Sequence, residues 1–152
     1  MTDLNTLNKS IDLRNLNVLI TGGAGFIGSN LAEYLLKNNV KFVRILDNLS
    51  TGKYENISDL IEKYDNIEFI KGDITDFNTC INALKDINVV SHQAALGSVP
   101  RSIDNPIKSN YNNVNGTLNI LWACHKMGIK RFVYASSSSV YGDDKHLPKC
   151  EE

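Results

Sequence analysis

The apolar residues of this chain fall into short blocks that alternate between two spacings. Asn17-Val-Leu-Ile-Thr21 is a continuous apolar run ending at glycine, the pattern of a strand buried on both faces. From Phe26 to Asn38 the apolar positions Ile27, Leu31, Tyr34 and Leu35 recur at helical spacing, and Asn38-Asn39 supply a stop. Lys41 to Leu46 then reads as a strand closed by Asp47, Glu55 to Lys63 as a short helix, and Ile67 to Ile70 as a strand closed by Gly72-Asp73. The alternation continues with a helix over Phe77 to Leu84, a strand over Ile87 to Ser91, a long helix over Ile107 to Met127, and a strand over Arg131 to Ala135 that runs into serines. Strands alternating with helices predict an α/β fold, a doubly wound parallel sheet with right-handed crossovers and strand order 3-2-1-4-5. Only Ala94 to Pro106 breaks the pattern. Its Gly97, Pro100 and Pro106 suit neither helix nor strand, so a loop facing the ligand crevice is expected there.

Composition narrows this picture. A chain of 152 residues buries one good core, so a polar leader over residues 1–16 and one domain over residues 17–152 are expected. A formal charge of -1 with scattered lysines lacks the basic footprint of a nucleic-acid binder, so any anionic ligand must be held locally. Cys80, Cys124 and Cys150 are odd in number and widely spaced, which suggests neither a disulfide framework nor a metal site and fits a reducing cytoplasm. The leader carries no apolar h-region, and no segment approaches membrane-spanning length, so neither secretion nor a membrane is expected.

The chemistry concentrates where the first strand meets the first helix. Thr21-Gly-Gly-Ala-Gly-Phe-Ile-Gly28 satisfies a dinucleotide-binding glycine fingerprint with glycines at 23, 25 and 28, and again at 22, 25 and 28. Such a site needs a sharp turn, a backbone bare enough to touch pyrophosphate, and a helix amino terminus whose free N–H groups hold the anion. Asp47 ends the second strand about twenty residues later, where a carboxylate accepts from the adenosine ribose hydroxyls. That favours NAD over NADP, while Arg44 and Lys53 are nearby cations able to accommodate a 2′-phosphate. Replacing Asp47 by Ala is expected to weaken NAD binding by about 1–3 kcal/mol, since a ligand hydroxyl pair loses its charged acceptor.

From Asn17 onward the chain resembles the extended short-chain dehydrogenase/reductase family, the NAD-dependent epimerases and dehydratases. The resemblance rests on the glycine segment, Asp47-Asn-Leu-Ser-Thr-Gly52, Gly72-Asp-Ile74, His92-Gln-Ala-Ala95, Asn113-Val-Asn-Gly-Thr117 and Ser136-Ser-Ser-Ser-Val-Tyr-Gly142. It implies an NAD cradle: Gly22, Gly25, Phe26 and Ile27 under the pyrophosphate, Asp47 and Asn48 at the ribose with Ser50, Thr51 and Gly52 beside them, and Asp73 and Ile74 at the adenine. Gln93, Ala94 and Ala95 would flank the cofactor, and Asn113 on the long helix would help hold its nicotinamide half. The segment Gln93 to Ser102 is most similar to UDP-N-acetylglucosamine/UDP-N-acetylgalactosamine 4-epimerases of surface-polysaccharide synthesis. By that resemblance Gly97, Ser98 and Val99 line a UDP-sugar pocket with room for an N-acetyl group, Ser137 bonds the sugar 4-oxygen, and Ser138 lies beside it. Arg101 is a phosphate ligand or a solvated loop cation, with the second favoured.

The family reaction takes hydride from sugar C4 to NAD while a tyrosine of a Tyr-x-x-x-Lys pair accepts the hydroxyl proton, and the keto sugar then turns and receives the hydride on its other face. Tyr141 and Lys145 match that string, but the pair must share a helical face and this one follows a strand directly through glycine, so the true pair is expected beyond Glu152. Dehydratases and decarboxylases of the family carry acidic residues just after the position of Ser137; here Ser138 and Ser139 stand there, which favours epimerisation. The alternatives are a non-catalytic nucleotide-binding module, another nucleotide-sugar enzyme of the family and, more weakly, an NADP-dependent reductase. The long helix carries two apolar stripes, Ile107, Tyr111, Val114, Leu118 and Leu121, and then Ile120, Cys124 and Met127. One sheet face cannot cover both, and relatives pair this helix in a homodimeric four-helix bundle, so the second stripe is expected to self-associate.

Overall fold

A computed structural model describes residues 12–143 and 148, apart from the side chain of Ser138. Five strands form one sheet, β1 (Asn17–Thr21), β2 (Phe42–Asp47), β3 (Ile67–Lys71), β4 (Val89–His92) and β5 (Arg131–Tyr134), in the order β3-β2-β1-β4-β5. Every pairing is parallel, as the alternation predicts. The register brings Thr21 beside both Leu46 and His92, so the carboxyl ends of the central strands finish level with one another.

Helices cover both faces because the central strand is apolar on both. On one side Val18 and Ile20 pack with Ala32, Leu35 and Leu36 of α1 (Phe26–Lys37) and Leu60 of α2 (Ser58–Lys63). On the other, Leu19 packs with Cys80 and Ala83 of α3 (Phe77–Ala83) and with Ile120, Ala123 and Cys124 of α6 (Gly116–Lys126). Each fully buried Leu or Ile contributes about 1.5–3 kcal/mol. Burial also pushes the thiols of Cys80 and Cys124 up to about 12 and about 11, which leaves both protonated and inert as nucleophiles; Cys150 lies outside the described residues. Helix α1 stops where predicted, with Asn39 in the left-handed region (φ 59°) that asparagine tolerates. Leu13 and Leu16, within the leader, pack on the first core, and their carbonyls accept from Lys41 N and Phe42 N.

Three expectations change. The segment expected to be a loop contains α4 (Val99–Asp104), and α5 begins at Pro106 (Pro106–Asn110). Both prolines sit in a first helical turn, where the missing N–H has no intrahelical partner to lose, and Ser98 caps α4 by accepting from Arg101 N. The long helix is interrupted at Tyr111–Asn115 by a wide π turn that joins α5 to α6. Its buried face is the stripe of Ile120 and Cys124; the stripe left exposed is the other one, with Ile107 81% and Leu118 61% exposed.

Candidate functional site

The carboxyl ends of β1, β2, β3 and β4 open onto a cleft of about 220 Å³. Its floor is the glycine turn. Gly22 N–H donates to Leu46 O (2.8 Å), which turns the chain out of β1, and Gly25 N–H then donates to Gly22 O (3.1 Å). Gly22 has φ +68°, and a Cβ there would fall 2.7 Å from Ala94 Cα. Gly28, in the first turn of α1, is packed so that a Cβ would lie 2.4 Å from Gly22 O and 2.6 Å from Gly23 Cα. Helix α1 therefore sits directly on the turn, which only glycine permits. It starts at Gly25 with no side-chain cap and no acidic residue in its first turn, so its first N–H groups and positive dipole end are left for an anion. Phe26 and Ile27 line the cleft there.

The second wall is the loop after β2. Buried Asp47 accepts from Ala24 N through Oδ2 (3.0 Å) and from Leu49 N through Oδ1 (2.8 Å). Leu49 is thereby held at φ +60°, a conformation that costs a residue with a Cβ about 1–2 kcal/mol. Asn48 accepts from Ser50 N (2.9 Å) and donates to Asp73 Oδ2 (2.7 Å). Burial alone would raise the Asp73 carboxyl, but hydrogen bonds from Thr75 and Asn48 outweigh it and hold the group below the usual range. Ala24 clasps the two walls together, since its carbonyl accepts from Lys53 N (3.0 Å) and Asn56 Nδ2 (2.7 Å) while its N–H goes to Asp47. Of the two cations near Asp47, Arg44 is engaged elsewhere. Its guanidinium donates to Glu68 (2.7 Å) and to the carbonyls of Ala83 and Lys85. Lys53 stands exposed near the glycine turn.

The third wall follows β4. Gln93, Ala94, Ala95 and Leu96 line the cleft, and His92 is buried at the strand end with Nδ1 2.6 Å from Thr21 Oγ1 and Nε2 2.9 Å from Thr117 Oγ1. Burial lowers its pKa from 6.5 to about 4. The folded protein thus keeps His92 neutral while the unfolded chain takes up a proton below about pH 6.5. The stability this contributes is complete above that pH and is lost as pH falls toward 4. Urea unfolding at pH 7.5 and 4.5 is expected to differ by about 2–3 kcal/mol on this account, and His92→Gln should flatten the profile by that amount. Equal slopes in the two proteins would remove His92 as the cause.

The cleft gathers Gly22, Gly25, Phe26, Ile27, Asp47, Asn48, Ser50, Thr51, Gly52, Ile74, Gln93, Ala94 and Ala95. Asp73 stands behind Asn48. Asn113 does not line the cleft; its amide brackets Leu96, accepting from Leu96 N (2.7 Å) and donating to Leu96 O (3.1 Å). Gly97, Ser98 and Val99 lie beyond the lining, with open space around Gly97, Ser98 spent as the α4 cap, and Val99 exposed. Ser137 is exposed past β5, its Oγ bonded to Ser139 N and Ser139 Oγ, and the side chain of Ser138 lies outside the described residues. Gly28, Leu46, Gly72, Leu96 and Asn112 also line the cleft and were missed as site residues. Gly28 was legible in the fingerprint, Gly72 ends a strand beside Asp73, and Leu96 lies in the segment expected to face the crevice, but nothing marks Leu46 or Asn112. Among the described residues no helix is long and apolar enough to cross a membrane.

Comparisons with known proteins agree with this geometry. Residues 18–152 match the model of the NAD dependent epimerase/dehydratase family. The chain is 40% identical over 140 residues to the UDP-glucose 4-epimerase of Haemophilus influenzae, covering 89% of this chain and 40% of that one. Among solved structures, it resembles the UDP-glucose 4-epimerase of Thermus thermophilus in complex with NAD, with TM-score 0.78, 38% identity, and coverage of 90% of this chain and 43% of that one. It also resembles a UDP-N-acetylglucosamine 4-epimerase from Methanobrevibacter ruminantium in complex with UDP-N-acetylmuramic acid, with TM-score 0.80, 40% identity, and coverage of 91% and 43%. The chain spans about two fifths of the length of these relatives.

Proposed function

The chain belongs to the NAD-dependent epimerase/dehydratase family, and on that premise we propose that residues 17–152 are the cofactor-binding part of a cytoplasmic UDP-N-acetylhexosamine 4-epimerase. The observation that carries the nucleotide assignment is the uncapped start of α1 seated on the Gly22 turn, with the Asp47 carboxylate at the end of the neighbouring strand. These residues fit a dinucleotide. Gly22, Gly25, Phe26 and Ile27 would take the pyrophosphate, Asp47 the ribose hydroxyls with Asn48, Ser50, Thr51 and Gly52 around them, and Ile74 the adenine beside Asp73. The nicotinamide half would run toward Gln93, Ala94 and Ala95, with Asn113 supporting that wall through Leu96. The Asp47 carboxylate would repel a 2′-phosphate; Arg44 is engaged by Glu68 and cannot offset it, and the exposed Lys53 is the nearby cation left to do so.

Bound NAD would supply the acceptor and donor for the sugar C4 hydride. This chain's residues contribute orientation. Ser137 Oγ can bond the sugar 4-oxygen, but its partners are the backbone and hydroxyl of Ser139, so among the described residues no group activates it as a base. Tyr141 ends a tight 3₁₀ turn, Ser138–Tyr141, and Lys145 lies outside the described residues. The N-acetyl preference is supported by the likeness to the Methanobrevibacter enzyme; UDP-glucose is the competing substrate. The exposed stripe of Ile107, Tyr111, Val114, Leu118 and Leu121 supports a homodimer in the full-length enzyme.

Titration calorimetry with NAD and NADP, together with a coupled assay for UDP-N-acetylgalactosamine formation, tests this assignment. The 152-residue chain is expected to bind NAD, to bind NADP at least about tenfold more weakly, and to show no turnover of UDP-N-acetylglucosamine. Failure to bind NAD would remove the cofactor assignment. Turnover near the rate of a longer form would show that the catalytic base is already present.

A further inference from the structure

A continuous run of hydrogen bonds joins the ends of β1 and β4 to α6 and the wall of the cleft. Thr117 Oγ1 donates to Asn113 O at 2.6 Å. A carbonyl only accepts, so the single hydroxyl proton of Thr117 is spent. Toward His92 the same oxygen must accept, and Nε2, 2.9 Å away, therefore carries the ring proton. In a neutral imidazole Nδ1 is then the acceptor, and Thr21 Oγ1 donates to it at 2.6 Å. The Thr21 oxygen in turn accepts from Ala94 N at 3.4 Å. At the far end the Asn113 side chain holds both backbone groups of Leu96. Both ends of the run thus close on Ala94 to Leu96, and Ala94 is the residue against which Gly22 is packed.

We infer that His92 is a positioning residue whose Nε2–H tautomer, fixed by the hydroxyls of Thr21 and Thr117, sets the place of the Ala94–Leu96 wall against the Gly22 turn. A ring that merely filled space beside Phe132, 5.8 Å away, would need the shape of its neighbours and not their hydroxyls. Thr117→Val keeps the shape and removes both the acceptor toward His92 and the donor to Asn113 O; Thr117→Ser keeps both.

The test uses the uniformly ¹⁵N-labelled 152-residue chain without nucleotide. At pH 7, long-range ring spectra should show His92 protonated at Nε2 and bare at Nδ1. The amide resonances of Ala94 and Leu96 should move in Thr117→Val and return toward their original positions in Thr117→Ser. The affinity arm rests on the NAD assignment: Kd for NAD should rise about threefold to tenfold in Thr117→Val, the worth of one buried neutral hydrogen bond, and stay near the unsubstituted value in Thr117→Ser. An Nδ1–H tautomer, a doubly protonated ring at pH 7, or unmoved Ala94 and Leu96 amides in Thr117→Val would overturn the inference. The spectra need no ligand, so they stand apart from the cofactor assignment; absent NAD binding with the expected tautomer would reject the cofactor and leave the role of His92 in place.

Discussion

Gly28→Ala should cost the fold about 3 kcal/mol and reduce nucleotide binding to an undetectable level. The added methyl meets Gly22 O at 2.4 Å and Gly23 Cα at 2.6 Å. Both obstacles are backbone, and Gly22 is itself pinned by its N–H to Leu46 O and by contact with Ala94. Nothing at the site can swing aside as a flexible side chain would. Helix α1 must therefore lift off the turn, which breaks its packing on Val18 and Ile20 and moves its first N–H groups away from the cleft. Urea unfolding and titration with NAD measure the two effects. Gly97→Ala is the control, because a Cβ at Gly97 meets nothing within 4 Å, and it should be close to neutral. Equal stabilities for the two variants would mean that the turn and α1 are not in contact.

Asp47→Ala is expected to weaken NAD binding by about 3 kcal/mol, on the order of a hundredfold in Kd. That is the top of the range expected from the sequence, where only the ligand hydroxyls are counted. The carboxylate also accepts from Ala24 N and Leu49 N, so its removal leaves donors unpaired in a buried place and frees Leu49 from its left-handed conformation. Asp47→Asn retains one acceptor oxygen and should fall between the two. Calorimetry on the three proteins decides the matter, and unchanged affinity in Asp47→Ala would reduce the residue to a turn former.

Strand order and the glycine turn were legible because local signals settle them: apolar runs for buried parallel strands, and glycines where backbone meets backbone. The inward face of α6 was not, since two stripes on that helix both keep helical period. What decides between them is size. Gly116 and Ala123 lie on the Ile120 and Cys124 side, and a Cβ at Gly116 would fall 2.6 Å from Ile74 Cδ1, so only that face can approach the neighbouring chain closely. Pro100 and Pro106 misled because proline opposes a helix interior but suits a first turn. Asn113 was legible as important from its motif, but it bonds Leu96 from within a wide helical turn for which the sequence carries no spacing signal. The left-handed Leu49 had no signal either, because leucine has no intrinsic preference for that region.

Ala24 has no functional group, yet three of the bonds that join the glycine turn to the loop after β2 pass through its backbone. In kinetic terms these bonds should make the two loops move as one body, with their ordering entropy settled during folding and not at each encounter with a nucleotide. Association should then follow diffusion and orientation into a cleft that is already shaped, with differences in affinity among nucleotides carried by their rates of departure.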